Sequence, residues 1–317
     1  MTATETPDTA PRVGTGNGGL AAVVAAAALW GLGGTVAGRL FAGGADPLEV
    51  VAVRTWIAAA GLALLLPWRR RAWRKAGPRV ASGAVRAGWR PTIGFGIAVA
   101  VANAGLFLAI ARLPVAVALV LQNLAPALVV AWTAMAARRV PPARVVIGLA
   151  AALAGVGLVV ELPTAPLSDL DLVGVLFALL TAAAVAAFSG LGGAAARGRG
   201  ALAATTWAFA ISGVLWLAVQ LARGVPDLFH RPGALLAAAG VGLFGTLLPF
   251  LLFSWGAARV GAAIGAVNIS LEPIFGAALA WAWLGQELTP VQLAGALVLL
   301  IALLDVQRSA RRSGRTS

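Results

Sequence analysis

The sequence contains no cysteine and no tyrosine, and its one histidine is His230. Without cysteine there is no disulfide framework, zinc knuckle, iron–sulfur ligation or thiol nucleophile. With one histidine, neither an HExxH site nor a histidine metal cluster can be built, and a hydrolytic triad has almost no material. Charge is also scarce: Asp, Glu, Lys and Arg make up 11% of the 317 residues, where soluble domains carry about 25%. Hydrophobic residues make up 60% and the mean hydropathy is +0.92. A water-soluble fold of this length would expose wide apolar patches, which argues against a soluble enzyme, a soluble regulator and a nucleic-acid binder together. The net charge of +13 acquires a meaning only from where the basic residues sit.

A bilayer core of about 30 Å is crossed by roughly 20 apolar residues in a helix. Runs of that kind occupy 19–40, 47–67, 91–111, 115–136, 144–161, 171–191, 202–222, 233–256, 261–284 and 289–306. The joints are short and carry turn residues, as in Gly43-Gly44-Ala45-Asp46-Pro47 and Gly224-Val225-Pro226-Asp227, which suits antiparallel neighbours. Residues 1–18 are rich in Thr, Gly and Pro, and read as a disordered cytoplasmic tail; 307–317 read as a basic cytoplasmic tail. The leader's Gly14–Gly19 fits GxGxxG, but no strand precedes it, so it is not a nucleotide loop.

Orientation follows from the rule that Lys and Arg in short loops stay cytoplasmic. The loop between the second and third runs holds Arg69, Arg70, Arg71, Arg74, Lys75, Arg79, Arg86 and Arg90. With that loop inside, both termini are inside, and 19 of the 24 basic residues fall on that side. Asp46, Glu49, Glu161, Asp169, Asp171, Asp227 and Glu287 gather on the other. The positive charge is therefore expected to lie against anionic headgroups rather than nucleic acid.

The halves also align with one another. Trp30-Gly31-Leu32-Gly33-Gly34 matches Ser189-Gly190-Leu191-Gly192-Gly193, and later Ala125-Pro126 matches Glu272-Pro273 and Gly148 matches Gly295. Five runs per half is an odd number, so the second half would lie inverted in the membrane. The expected fold class is an all-α polytopic membrane protein of ten transmembrane helices, arranged as two inverted five-helix repeats at 19–161 and 171–306. Such repeats are a transporter architecture.

Few polar groups fall deep within these runs. Glu272, in Asn268-Ile269-Ser270-Leu271-Glu272-Pro273, is the one acidic residue well inside a run. A carboxylate there costs roughly 2.5–3.5 kcal/mol on insertion scales, so it is expected to face the interior with a partner, as a cation or proton site or as a helix–helix clamp. Gln122 and Asn123 occupy the matching stretch of the first half, ahead of Pro126, and matched proline-interrupted segments point to a central site. Arg54 lies about two turns into the second run, where it either snorkels to the headgroups or offers a cation to an anionic substrate group. Glu49 is five residues away on the same helix, a spacing that does not favour pairing. Trp30, beside Gly31 and Gly33, is a candidate pocket wall or a packing residue, and Asn268 is a further candidate.

The stretch Leu271-Glu272-Pro273-Ile274-Phe275-Gly276, running on to Leu284-Gly285-Gln286-Glu287-Leu288-Thr289-Pro290, with Ala28-Leu29-Trp30-Gly31 and Val53-Arg54-Thr55-Trp56, resembles the EamA-type members of the drug/metabolite transporter superfamily. Arg138-Arg139-Val140-Pro141 departs from that family's usual Gly-Glu-Arg turn. The resemblance implies ten spans, two repeats, and secondary transport of small metabolites such as amino acids or related amphiphiles.

The expected function is thus a secondary active transporter of the inner or plasma membrane, exporting or exchanging a small metabolite by alternating access. Glu272, Gln122, Asn123, Arg54, Trp30 and Asn268 are its expected substrate-binding residues. The expected partners are a small-molecule substrate, a proton as coupling ion and membrane lipids. A homodimer stays open; no nucleic acid, metal or cofactor is expected. The alternatives are an intramembrane lipid-modifying transferase, which would need clustered acids or histidines at a membrane face, and a non-transporting membrane partner protein.

Overall fold

The computed structural model describes residues 17–75, 89–136, 143–159, 171–260 and 271–313, and among these every regular element is helical. In chain order the helices are α1 (Asn17–Ala42), α2 (Pro47–Lys75), α3 (Trp89–Ile110), α4 (Val115–Gln122), α5 (Ala125–Ala136), α6 (Ala143–Val159), α7 (Leu172–Arg199), α8 (Ala201–Arg223), α9 (Pro232–Gly242), α10 (Leu248–Val260), α11 (Glu272–Leu284) and α12 (Pro290–Ser313). A π-turn at Leu243–Leu247 joins α9 to α10, and a 3₁₀ turn covers Asp227–His230. Among the described residues six stretches are long and apolar enough to cross a bilayer: Gly18–Ala42, Pro47–Leu65, Trp89–Ile110, Leu172–Arg197, Ala201–Arg223 and Pro232–Phe253. Val115–Val129, Val146–Val159 and Pro290–Ala302 are shorter apolar stretches. Helices are what lipid demands, because hydrocarbon offers no partner to a backbone N–H or C=O.

The run 115–136, expected as one helix, is divided. Asn123 ends α4: its side-chain Nδ2 donates to the Leu119 carbonyl at 2.8 Å, and its backbone N–H is shared between Leu119 and Val120. The chain tightens so that Leu124 donates to Leu121, and Pro126 has no N–H with which to continue an α-ladder. The run at 233–256 is continuous but bulged by the π-turn, while α2 reaches Lys75 and α12 reaches Ser313, each well past its apolar core. The residues expected as a basic tail are thus helical through Ser313. Residues 1–16 of the leader and Asn268 lie outside the described residues.

The helices pack in neighbouring pairs: α3 on α7 and α8, α1 on α10 and α11, α2 on α8 and α9, α4 on α7 and α11, and α6 on α12. Small residues set the closest approach. A Cβ on Gly295 of α12 would lie 2.6 Å from both the Leu158 Cβ and the Val159 nitrogen of α6, so only glycine permits the contact. Outward faces are apolar, with Leu221 at 76% and Trp132 at 69% exposure, a surface that suits lipid and not water.

The connections at one end are tied together by polar contacts. Asp46 caps α2 through the N–H groups of Leu48 and Glu49 and accepts from Arg223 at 2.7 Å. Glu49 accepts the Asp227 and Leu228 N–H groups, and Arg231 donates to the carbonyls of Gly43 and Gly44. Gln286 accepts the Val115 N–H at 3.0 Å. Arg112 pairs with Asp171 at 3.0 Å, and Asp171 caps α7 by accepting the Gly174 N–H at 2.8 Å. Asp171 stands just outside the span Leu172–Arg197, and the Gly174 N–H, followed by Arg112, holds its carboxyl below the usual carboxylate range.

Two outcomes follow from this packing. Gly295→Leu should push α12 off α6, at a cost on the order of 1–3 kcal/mol or more, read as a lower melting temperature of the detergent-solubilised protein. Asp171→Ala should cost about 1 kcal/mol at neutral pH through loss of the cap, with little added by the water-screened Arg112 pair. A depressed carboxyl stabilises the fold above its unfolded value and ceases to do so as pH falls through its folded value. The melting difference between Asp171→Ala and the wild type should therefore shrink once pH drops below the ordinary carboxylate value of about 3.9.

Candidate functional site

The polar interior is assembled around α2, α4, the π-turn and α11. Arg54 is only 6% exposed, although it stands about two turns from the end of α2. Its Nε donates to the Thr246 hydroxyl at 3.0 Å, and its guanidinium carbon lies 4.4 Å from the Phe107 ring centroid on α3. Snorkelling is excluded by these contacts, since the charged end turns inward to an aromatic face and a hydroxyl. Nor does Arg54 pair with Glu49, which is occupied by the two backbone N–H groups that open the 3₁₀ turn. Thr246 in turn donates to the Val241 carbonyl at 3.2 Å, five residues back. The π-turn makes this bond possible, because its wider coil leaves carbonyls that a regular α-ladder would have taken.

Glu272 is 7% exposed and stands in the first turn of α11, with Pro273 beside it. A proline is tolerated there because first-turn N–H groups have no partner within the helix. Gln122, the last residue of α4, donates through Nε2 to Glu272 Oε1 at 3.4 Å. The break at Asn123 is what turns the end of α4 toward α11, while the Asn123 side chain itself is spent on Leu119 within that break. Helix α1 presses on the same turn: a Cβ on Gly31 would lie 2.7 Å from the Gly276 nitrogen and 3.1 Å from the Glu272 carbonyl oxygen.

Arg54 and Glu272 are within electrostatic reach of one another. Among the described residues the polar partner of Arg54 is Thr246 and that of Glu272 is Gln122, and the two form no direct ion pair. Charges taken out of water are costly unless paired and hydrogen-bonded, and here each has one neutral partner. Among the described residues nothing takes the terminal nitrogens of the guanidinium or the second oxygen of the carboxylate.

Trp30 goes elsewhere. Its ring meets Phe250 edge-on at 5.4 Å and Phe253 at 5.8 Å, and Phe250 meets Phe209 at 5.4 Å. This aromatic cluster joins α1, α8 and α10. The geometry thus brings Arg54, Gln122 and Glu272 into one interior, gives Asn123 a structural part in shaping it, and leaves Trp30 with aromatic neighbours. Phe107 and Thr246 complete the surroundings of Arg54, and neither stands out in the sequence. A hydroxyl in an apolar run that holds one other, Ser254, was the available signal for Thr246, whereas nothing marks Phe107 among 11 phenylalanines.

At the tied end of the bundle, Gly44, Ala45, Asp46, Glu49, Asp227, Leu228, His230 and Arg231 line a cleft of about 230 Å³. His230 is exposed there. Glu49 and Arg54 share α2, so the cleft lies roughly 7 Å along that helix from Arg54 at 1.5 Å per residue.

Comparison with known proteins agrees with this architecture. The sequence matches the EamA-like transporter family over residues 17–161 and again over 172–306. It is 27% identical over 203 residues to the uncharacterized inner membrane transporter YicL of Salmonella typhimurium, covering 64% of this chain and 67% of that protein. A protein of known crystal structure superposes with a TM-score of 0.57 at 16% identity, over 93% of this chain and 98% of its own; at that identity the likeness concerns the fold alone. The family and the relative both point to a transporter rather than an enzyme, in keeping with the long apolar helices. This chain, a helical multi-pass membrane protein, belongs to the EamA-like transporter family.

Proposed function

We propose that the protein is a secondary active transporter that exports or exchanges a small zwitterionic metabolite, of the amino-acid kind, by alternating access. One observation carries the reading: two opposite charges, Arg54 and Glu272, are buried in the membrane interior, near each other, and among the described residues each is hydrogen-bonded to a neutral side chain and not to the other. A substrate bearing both a carboxylate and an ammonium would satisfy both, the first at the guanidinium fork and the second at the carboxylate beside Gln122. Asn268 would border that site, and Asn123 would shape it through the break after α4. A proton on Glu272 would replace the ammonium when the site is empty and so serve as coupling ion.

The alternating-access part of the proposal rests on ten spans in two inverted repeats, at 19–161 and 171–306. Helix pairing supports it. Helix α3 packs on α7 as α10 packs on α1, α3 on α8 as α9 on α2, and α5 on α7 as α11 on α1. Pairs α2–α8 and α6–α12 map onto themselves, as a twofold axis in the membrane plane would require. The cleft at the tied end, lined by both signs of charge, would be one mouth of the pathway. Both termini would be cytoplasmic.

In proteoliposomes offered a panel of labelled amino acids, Arg54→Gln should raise half-saturation for the transported ones roughly 10- to 100-fold, the weight of a charged hydrogen bond. Glu272→Gln should abolish the dependence of uptake on an imposed pH gradient; unchanged dependence would refute proton coupling. Orientation is open to a separate check, because the natural chain has no cysteine. His230→Cys should react with a membrane-impermeant maleimide on intact cells, and Ser82→Cys only after permeabilisation. The reverse pattern would invert the topology.

A further inference from the structure

The surroundings of Arg54 hold a device that the transport reading does not require. The guanidinium is held on one side by the Phe107 ring at 4.4 Å and at Nε by the Thr246 hydroxyl at 3.0 Å. Thr246 belongs to the π-turn, and two glycines press that turn onto its neighbours. A Cβ on Gly242 would lie 3.0 Å from the Cα of Arg54 itself, and a Cβ on Gly245 would lie 2.9 Å from the Cα of Gly33 on α1. The π-turn is therefore wedged between α1 and α2 with its hydroxyl aimed at the cation.

A π-turn holds one residue more than the α-helical turn it replaces. Its conversion to α-helix would shift the register by one residue and rotate the position of residue 246 by about 100° around the helix axis. The hydroxyl would then no longer face Arg54, and the Val241 carbonyl would lose its side-chain donor.

We propose that Thr246 is the positioning residue of Arg54. Presented by the π-turn, it keeps the guanidinium from pairing directly with Glu272, and relaxation of the turn hands Arg54 over to Glu272 and closes the site. The inference rests on the reading of Arg54 and Glu272 as the substrate-binding pair and adds what holds them apart. In the held state both charges are available to a substrate. In the released state they neutralise each other, as suits a site that has given up its proton and not yet taken a substrate.

The test uses the full chain in detergent with dicyclohexylcarbodiimide, which adds to a carboxyl in an apolar site that no cation occupies. Modification of Glu272 is followed by peptide mass spectrometry at one fixed pH. Wild type and Thr246→Ser, which keeps the hydroxyl, should be modified at similar rates. Thr246→Val, which keeps the shape and removes the acceptor, should be modified about ten-fold more slowly, in line with a lost charged hydrogen bond, because Arg54 then covers the carboxylate. The double variant Arg54→Gln/Thr246→Val should regain the wild-type rate, and Thr246→Ala serves in place of Val if the latter does not fold. Equal rates for wild type and Thr246→Val overturn the proposal. So do a wild type unmodified at Glu272 and a double variant that stays slow. No substrate takes part, so the result is independent of the transport assay: if Arg54→Gln still impairs uptake while Thr246→Val leaves labelling unchanged, the transport reading stands and only the role of Thr246 falls.

Discussion

Burying a cation and an anion in a medium without water is the constraint around which the interior is organised. Each charge left unpaired in hydrocarbon costs several kcal/mol, so Arg54 and Glu272 oblige the surrounding helices to supply partners. They do so with neutral groups: a hydroxyl and an aromatic face for Arg54, an amide for Glu272. Direct pairing would be the simplest electrostatic solution, and its absence leaves both groups with bonding capacity to spare. The helix breaks follow from the same need. α4 ends at Gln122, whose amide reaches Glu272, α11 starts at Glu272 with Pro273 in the same first turn, and the π-turn in α9–α10 brings a hydroxyl to Arg54.

Lipid also explains where the remaining charges went. Arg112, Arg223 and Arg231 are tied to Asp171, Asp46 and the Gly43–Gly44 carbonyls at one end of the bundle. These contacts are exposed and individually weak. Their shared position matters more than their strength, because they tie the connection 43–46 to 224–231 beside the end of α2 that carries Arg54, and the connection 111–114 to the start of α7. Close glycine contacts play the complementary part inside the bundle. With no hydrophobic drive between helices in lipid, packing must come from backbones that approach closely, as Gly155 and Gly295 do between α6 and α12.

Much of the fold was legible because lipid makes the relation between sequence and helix nearly one-to-one. Long apolar runs interrupted by Gly, Pro and charge became helices with ends within a few residues of those interruptions. The differences came from local geometry that hydropathy does not encode. The run 115–136 looks uniform in hydropathy, yet the Asn123 side chain and Pro126 divide it. The run 233–256 gives no hint of its π-turn, since Leu243-Phe244-Gly245-Thr246-Leu247 is an ordinary apolar stretch. The basic ends of α2 and α12 remain helical because helix propensity does not stop where the apolar core does.

The sequence by itself determined that the chain is a helical multi-pass membrane protein, and that Glu272, Arg54 and Gln122 are the polar groups worth watching, because each is expensive where it stands. It could not say whether Arg54 turns toward the headgroups or the interior, since a long flexible side chain two turns from a helix end can do either. Nor could it say that Trp30 would settle among Phe209, Phe250 and Phe253. Those outcomes depend on which helices become neighbours. Only the packing of α2 against α9 and the π-turn, and of α1 and α4 against α11, placed a hydroxyl beside one charge and an amide beside the other.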